Sequence, residues 1–482
     1  MAGLSSRLAL GAVVLAAVVV ATALPGTAHS DPGRTLAERL ERDVKEPAAF
    51  RHLSAFQRIT DENGGERSAG SPAYAVSAEY VKKKLTAAGY DVRVQRFSFP
   101  DFEPLRETAA ATGPVSRELH PLMAEFSSST PEGGVHAGLA VLPGSGCTAE
   151  EYEQAAARGR IALVQGKGCA VDQKQRVAKE AGARLVLLNT GAPGADLRQR
   201  YFTTPSADAI PAATLSRRES EQLTADAATG KPVTLQVDLR GRQKRTRTFN
   251  LLADTPTGDP GRKVVVGAHL DGGREGPGID DNATSAAMVL ETALRLAPHA
   301  GQVRNQVRFA FWGAEERAVL GSRHYVESLS PSELKSHALN LNFETLGASN
   351  YARMVYDGDD SDGTGTGAGP PGSDTIEREF TGYFARRGLP TVPMDFDHRS
   401  DYAPFFEAGI PTGGGSGGYD HIKTPEWERL FGGTAGQYLD PCYHQTCDRI
   451  DRIDRRFFGQ YGDAMAYVTG RFAQDLSGVG PR

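Results

Sequence analysis

Three apolar runs of strand length stand out between Val264 and Glu344. Each ends in a side chain able to hold a metal. Val264 to Ala268 leads into His269, Val307 to Trp312 into Gly313-Ala314-Glu315-Glu316, and Leu339 to Phe343 into Glu344. Between the first two runs, apolar positions from Ala286 to Leu296 recur with the 3.6-residue period of a helix. Strand, helix, strand and helix in this order predict an α/β architecture with a parallel sheet. Ligands of such sheets gather at the carboxyl ends of the strands.

The same patterning divides the rest of the chain. Residues 31 to about 55 read as a mixed-charge helix that continues to Ile59, and Asn63-Gly64-Gly65 breaks it. Ser71-Pro72 opens a helix over Ala73 to Ala88, and Tyr90 to Phe97 alternates like a strand. Residues 115 to 243 have another texture. Short strands fall at 138–142, 161–164, 185–188 and 210–215, a helix at 173–181, and no His, Asp or Glu cluster lies at a strand end. This stretch reads as an inserted, non-catalytic domain. It separates an N-terminal part of the main domain, 31–114, from its larger part, 244–482. Asn250 to Ala253 is a strand, Ile410-Pro411-Thr412 a strand end, and Thr375–Arg387 and Arg456–Leu476 are helices. Asp357 to Asp374 is Gly-rich and low in complexity, a solvated surface loop. Its aspartates lack the glutamate that completes an EF-hand calcium loop.

Composition adds compartment and excludes some partners. A chain of 482 residues is too long for one small core, so two or three domains are expected. The formal charge is −5 with both signs spread along the chain, unlike the clustered basic face of a nucleic-acid binder. Arg7, the apolar run Leu8 to Leu24 and the small residues Ala28-His29-Ser30 form a signal-peptide pattern over residues 1–30. The run is also just long enough to span a bilayer; cleavage is the favoured reading, leaving a secreted protein with no membrane partner. Four cysteines are expected to pair in an exported chain. They allow three connectivities, and nearness in sequence selects Cys147–Cys169 and Cys442–Cys447.

The polar residues at the strand ends suggest chemistry. His269 and Asp271 form an HxD unit, in which Asp271 can fix the imidazole tautomer or steady a metal cluster. Asp280-Asp281-Asn282 follows a Gly-Pro-Gly turn and precedes the helix; a helix cap is the simpler reading of this triplet taken alone. Glu315 and Glu316 point in different directions, so one can bind metal while the other faces a water as general base. Glutamates also favour a helix N-terminus. His444 and Tyr443 lie within Cys442–Cys447, where a local disulfide would stiffen the loop and Tyr443 could supply an oxyanion donor. An incidental histidine in a stapled surface loop is the plainer alternative. Together, two imidazoles and three carboxylates without a thiolate suit zinc, manganese or cobalt. Five ligands with one carboxylate bridging suggest two metals.

The motifs GAHLD, GPGIDDN, FWGAEE, LNFE, RSDYAPF and GGTAGQYLDPCYHQTCD resemble, in order and spacing, those of the secreted bacterial double-zinc aminopeptidases. The wider family includes glutamate carboxypeptidase and the transferrin receptor. The resemblance covers most of residues 36 to 475. Arg158 to Thr190, RGRIALVQGKGCAVDQKQRVAKEAGARLVLLNT, resembles a protease-associated domain. The resemblance implies the zinc exopeptidase fold, a mixed, mostly parallel sheet sandwiched by helices, and two zinc ions per chain. It implies His269 and Glu344 on one zinc, Glu316 and His444 on the other, and Asp281 bridging, followed by a cis peptide. Glu315 is then the base, Tyr443 the oxyanion donor and Arg399 a substrate contact. The Asn282-Ala283-Thr284 sequon falls inside the active centre and is not expected to carry sugar. Two departures stand out. Glu344 replaces the aspartate of the bacterial enzymes, and Arg399-Ser400-Asp401-Tyr402 replaces the wider family's RSDH.

The function expected is removal of N-terminal residues from peptide or protein substrates. A carboxypeptidase of the same fold would need cations for a terminal carboxylate, and Arg399 is the ready candidate. A catalytically inactive binding homologue is the third reading. Retention of all five ligands and Glu315 speaks against it.

Overall fold

The computed structural model describes residues 35–113, 115–190, 199–204, 209–365 and 367–480; the predicted signal segment lies outside them. Fourteen strands are described, in chain order β1 (Asp91–Gly113), β2 (Ser116–Leu119), β3 (Leu122–Met123), β4 (Val135–Val141), β5 (Ile161–Gln165), β6 (Leu185–Asn189), β7 (Ala212–Leu215), β8 (Thr234–Asp254), β9 (Asp259–His269), β10 (Asn305–Trp312), β11 (His337–Glu344), β12 (Met354–Tyr356), β13 (Val392–Met394) and β14 (Thr412–Ser416). One path of pairing runs β13-β12-β14-β11-β9-β10-β8-β4-β5-β6-β7-β3, with β1 on β8 and β2 on β1. In the larger half β9, β10, β11 and β14 are parallel, so their carboxyl ends share one rim. The edge pair β12–β13 is parallel and meets β14 antiparallel.

The apolar strands are buried on both faces because helices cover both. Helix Ser285–Leu296 is buried over nearly its whole surface. It packs against helices Glu46–Glu62, Pro72–Ala87 and Arg455–Gln474. The long mixed-charge helix expected at the N-terminus is two helices, Leu36–Asp43 and Glu46–Glu62. Val44 adopts an extended conformation between them, and Pro47 stands in the first turn of the second, where a missing N–H is harmless.

The connection to the second half is a two-stranded ribbon. β1 and β8 pair antiparallel from Asp91↔Asp254 to Gly113↔Thr234. The near end of β8 joins the larger sheet through β10 (Arg308↔Asp254 to Phe311↔Leu251), and its far end pairs with β4 (Val135↔Val237). From there β4, β5, β6 and β7 run parallel around a separate core of Leu139, Ile161, Leu163, Leu185 and Leu187. The strand expected to stop at Phe97 thus continues to Gly113. β14 also departs from expectation, beginning where a strand end was expected and consisting of Thr412-Gly413-Gly414-Gly415-Ser416. A Cβ on Gly415 would collide with the Tyr461 hydroxyl, and one on Gly414 with the Asn342 carbonyl.

Candidate active site

The rim formed by β9, β10 and β11 gathers the predicted side chains. His269, the last residue of β9, turns Nε2 toward Asp281 Oδ1 at 3.3 Å, Glu344 Oε2 at 3.2 Å and Glu315 Oε2 at 3.6 Å. His444 Nε2 lies 3.0 Å from Asp281 Oδ2 and 2.9 Å from Glu316 Oε2. Asp281 therefore reaches one imidazole with each oxygen. The peptide after it, Asp281-Asn282, is cis. The Asn282 side chain donates to the Phe343 carbonyl at 2.8 Å and accepts from the Thr345 N–H at 3.1 Å, so the sequon is buried.

The chain between β10 and the next helix sets the two glutamates apart. Ala314, Ala318 and Val319 have φ of 60°, 64° and 53°, the left-handed region that residues with a Cβ seldom occupy. Residues in such conformations persist only where their surroundings hold them. The Glu315 N–H donates to Asp271 Oδ1 at 3.2 Å. Asp271 serves His269 differently from expectation. Its backbone carbonyl lies 2.9 Å from His269 Nδ1, while its carboxylate is 3.8 Å away and holds the Glu315 loop instead. Nδ1 must donate to that carbonyl, which leaves Nε2 free as a ligand atom.

The donor set fits metal ions. Two groups, His269–Glu315–Glu344 and Asp281–Glu316–His444, each place one ligand atom per residue within 4.8 Å of the others. His444 Nε2 and Glu316 Oε1 are buried and make no hydrogen bond despite their close neighbours. Atoms that converge without hydrogen-bond geometry suit a shared cation. Burial opposes charge on His444, but the Glu316 and Asp281 carboxylates outweigh it and hold its basicity well above that of a free imidazole. Burial pushes the Glu315 carboxyl well above the usual range; Glu344, Asp401 and Glu316 add to this while His269 opposes it.

Tyr443 stacks on the His444 ring, centroids 3.9 Å apart, and on Tyr419 at 5.4 Å. Burial raises its phenol well above the ordinary value, helped by the Asp281 charge, so the hydroxyl is a donor at neutral pH. Cys442 and Cys447 are bonded and close this loop; Cys147 and Cys169 are bonded in the other half. Arg399 lies 4.7 Å above the Tyr419 ring and forms a two-pronged pair with Asp420 at 3.1 and 3.3 Å. In the Gly-rich loop the Asp357 carboxylate accepts the N–H groups of Asp359, Ser361 and Asp362.

Several supporting side chains were not legible from spacing. Ser400 Oγ donates to Glu344 Oε1 and accepts from Asn342 Nδ2 at 2.7 Å. Asp448 accepts the N–H of Asp280 at 2.7 Å and of Asp281 at 3.3 Å. Arg67, fully buried, donates to the carbonyls of Leu270 and Gly278, bracing the loop between His269 and Asp281. Ser400 and Asp448 sit inside the recognised motifs, which was the one available signal. Arg67 had none.

Residues 250–469 match the description Peptidase family M28, and residues 135–223 match PA domain. The chain is 38% identical to "Probable lipoprotein aminopeptidase LpqL" of Mycobacterium tuberculosis, over 97% of this chain and 95% of that protein. The chain belongs to peptidase family M28. This M28 hydrolase is also 38% identical to an "Aminopeptidase" of Pseudomonas aeruginosa, over 89% of this chain and 81% of that one. Its fold matches the solved BSAP, a zinc aminopeptidase from Bacillus subtilis, with TM-score 0.66 and 25% identity over 88% of this chain and 94% of that chain. The M28 fold expected, a mixed, mostly parallel sheet between helices with an inserted PA domain, is the fold present.

Proposed function

We propose that this M28 peptidase is an exported aminopeptidase that removes N-terminal residues from peptides at a centre of two zinc ions. The observation that carries the reading is Asp281, whose two oxygens each face one imidazole, 3.3 Å from His269 and 3.0 Å from His444. His269 and Glu344 would hold one ion, His444 and Glu316 the other, and Asp281 both. When bound, the ions supply Lewis acidity, lowering the pKa of a water and polarising the scissile carbonyl. Glu315 takes the proton of the attacking water and delivers it to the leaving amine. The Tyr443 hydroxyl donates to the developing oxyanion. Ser400 and Asn342 hold Glu344 in its rotamer, and Asp448 holds the Asp281 backbone.

The relatives named aminopeptidase support the direction of cleavage. So does Arg399, whose guanidinium is already paired with Asp420 and is a poor receptor for a C-terminal carboxylate. Two disulfides suit an oxidising compartment. Among the described residues no helix is long and apolar enough to cross a membrane. We place the signal peptide at 1–30, the PA domain at 115–243 and the peptidase domain at 31–114 with 244–482.

The test separates catalysis from metal binding. Glu315→Gln keeps shape and hydrogen bonding but removes the proton acceptor. It should retain about two metals per chain and lose about 10²-fold or more in rate. Glu316→Gln should instead lose metal. Metal analysis with aminoacyl and carboxyl-terminal substrates reads both outcomes. Loss of zinc from Glu315→Gln equal to that from Glu316→Gln, or near-normal turnover, would refute the assignment.

A further inference from the structure

A second cavity, of about 370 Å³, opens far from the metal rim; Arg93, Gln95, Lys263, Arg308, Tyr325 and Glu333 are among its lining residues. Lys263 and His269 share β9, six residues apart, so the two sites are separated by about 20 Å of strand. Lys263 is 8% exposed as a residue, its ammonium keeps contact with open space, and among the described residues that ammonium has neither a hydrogen-bond partner nor an ion pair within 4 Å. The Lys263 stem is buried while its head still reaches open space, so the charge is left to water or to an anion that enters the cavity.

The other polar groups of the wall are hydrogen-bonded elsewhere, and none of them pairs directly with Lys263. Arg308 holds Asp254 through Nε, at 2.6 Å, and through a second nitrogen, and it donates to the Tyr325 hydroxyl at 2.7 Å. His337 Nδ1 lies 2.6 Å from the Glu333 carbonyl and must donate to it. Its Nε2 therefore accepts from the Tyr325 hydroxyl at 2.6 Å. Gln95 donates to Ser328 at 3.0 Å and accepts from Asn250 at 2.9 Å; Ser328 in turn donates to the Tyr325 carbonyl at 2.7 Å. The Glu333 carboxylate caps its own helix, accepting from the Ser330 N–H and hydroxyl at 2.8 and 2.7 Å. Two cations remain: Lys263 inside, and Arg93, exposed at the mouth and likewise without a pair.

We propose that this cavity binds a small oxyanion, a carboxylate or a phosphate, between the Lys263 ammonium and the Arg93 guanidinium. Three cations, Lys263, Arg93 and Arg308, line the space against one carboxylate, Glu333, which is hydrogen-bonded to Ser330; Asp254, outside the lining, is held by Arg308. The volume takes a phosphate group or an anion the size of an amino acid. Burial first, and then Arg308, lowers the affinity of Lys263 for its proton, which an incoming anion would reverse.

Lys263 itself supplies the readout, one that the metal centre does not share. The zinc-loaded full chain is reductively methylated under limiting reagent, and each lysine is followed by peptide mass spectrometry. Inorganic phosphate, acetate and N-acetylleucine, none of which carries an amine that would consume the reagent, are the three probes. Phosphate or a carboxylate should slow methylation of Lys263 saturably, at roughly millimolar concentration, while exposed Lys84 is unaffected. Which probe protects identifies the source of the oxyanion. Arg93→Gln, an exposed change that leaves the fold intact, should raise the half-saturating concentration about tenfold, as loss of one charged hydrogen bond does. Lys263→Met should lose any anion-dependent gain in Tm. The proposal is overturned if no probe changes the Lys263 rate, or if protection is the same in Arg93→Gln.

Discussion

Replacing Ser400 by alanine tests whether Glu344 needs to be aimed. Ser400 gives its proton to Glu344 Oε1 and receives one from Asn342 Nδ2 at 2.7 Å, while Glu344 Oε2 faces His269 at 3.2 Å. All four side chains are buried. A hydrogen bond to a carboxylate contributes about 1.5–3 kcal/mol, and the stranded Asn342 amide adds a penalty of about 1–3 kcal/mol. Part of this cost falls on folding of the metal-free protein. The share that falls on metal is the usual loss when a ligand is no longer oriented, about 10–100-fold in affinity. In the proposed centre Glu344 would serve the His269 half, so the loss should be one-sided. Dialysis against graded zinc buffers should take Ser400→Ala from about two metals to about one at a concentration where the wild type keeps both. Adding Glu344→Asp should then cost less than it does alone, because the shorter side chain no longer has Ser400 to lose. Unchanged affinity at both metals would mean that Ser400 merely fills space. Equal loss at both would mean that Asp281 couples the two halves so tightly that they bind as one.

Glu344→Asp alone should keep activity within about tenfold, since it places the more usual family ligand at this strand end; complete loss by peptidase assay would show a shell rebuilt for the longer side chain. Asp448→Ala removes the acceptor behind Asp280 and Asp281, so metal analysis should show both ions weakened together, about tenfold or more. Asp463 concerns stability alone. Burial raises its carboxyl to about 6, so the folded state holds the proton more tightly than the unfolded chain, and this stabilisation is lost as pH rises from about 4 through 6. Asp463→Asn should therefore raise Tm by about 2 °C at pH 7.5 and leave it unchanged near pH 4, as calorimetry at the two pH values would show.

The centre of the molecule was legible because two signals coincided. β9, β10 and β11 are apolar enough to read as buried strands, and each ends on, or runs within four residues into, a side chain able to hold a metal. The ribbon was not legible beyond Phe97. Its further residues include Pro100, Asp101, Glu103, Pro104 and Arg106, and a partly exposed pair of strands needs no apolar alternation. β14 escaped because glycine carries no side-chain pattern, although close packing by Tyr461 and Asn342 requires glycine there. Asp271 was placed beside His269, but its carbonyl and carboxylate exchanged roles, a matter of backbone direction that residue type does not encode. Ser400, Asp448 and Arg67 act through partners distant in the chain, which only the assembled fold brings near.

The helix Leu36–Asp43 lies against the final helix, where a Cβ on Gly470 would sit 2.7 Å from the Cα of Ala37. In time this means that, among the described residues, the first helix to be made waits for the last. His269, Asp281, Glu315, Glu316 and Glu344 are all synthesised before His444, and the helix Arg455–Gln474 that completes the packing around Ser285–Leu296 comes later still. A chain still being made therefore carries five of the side chains of the proposed centre but not its second imidazole, and hydrolysis by that centre has to wait until nearly the whole chain is present.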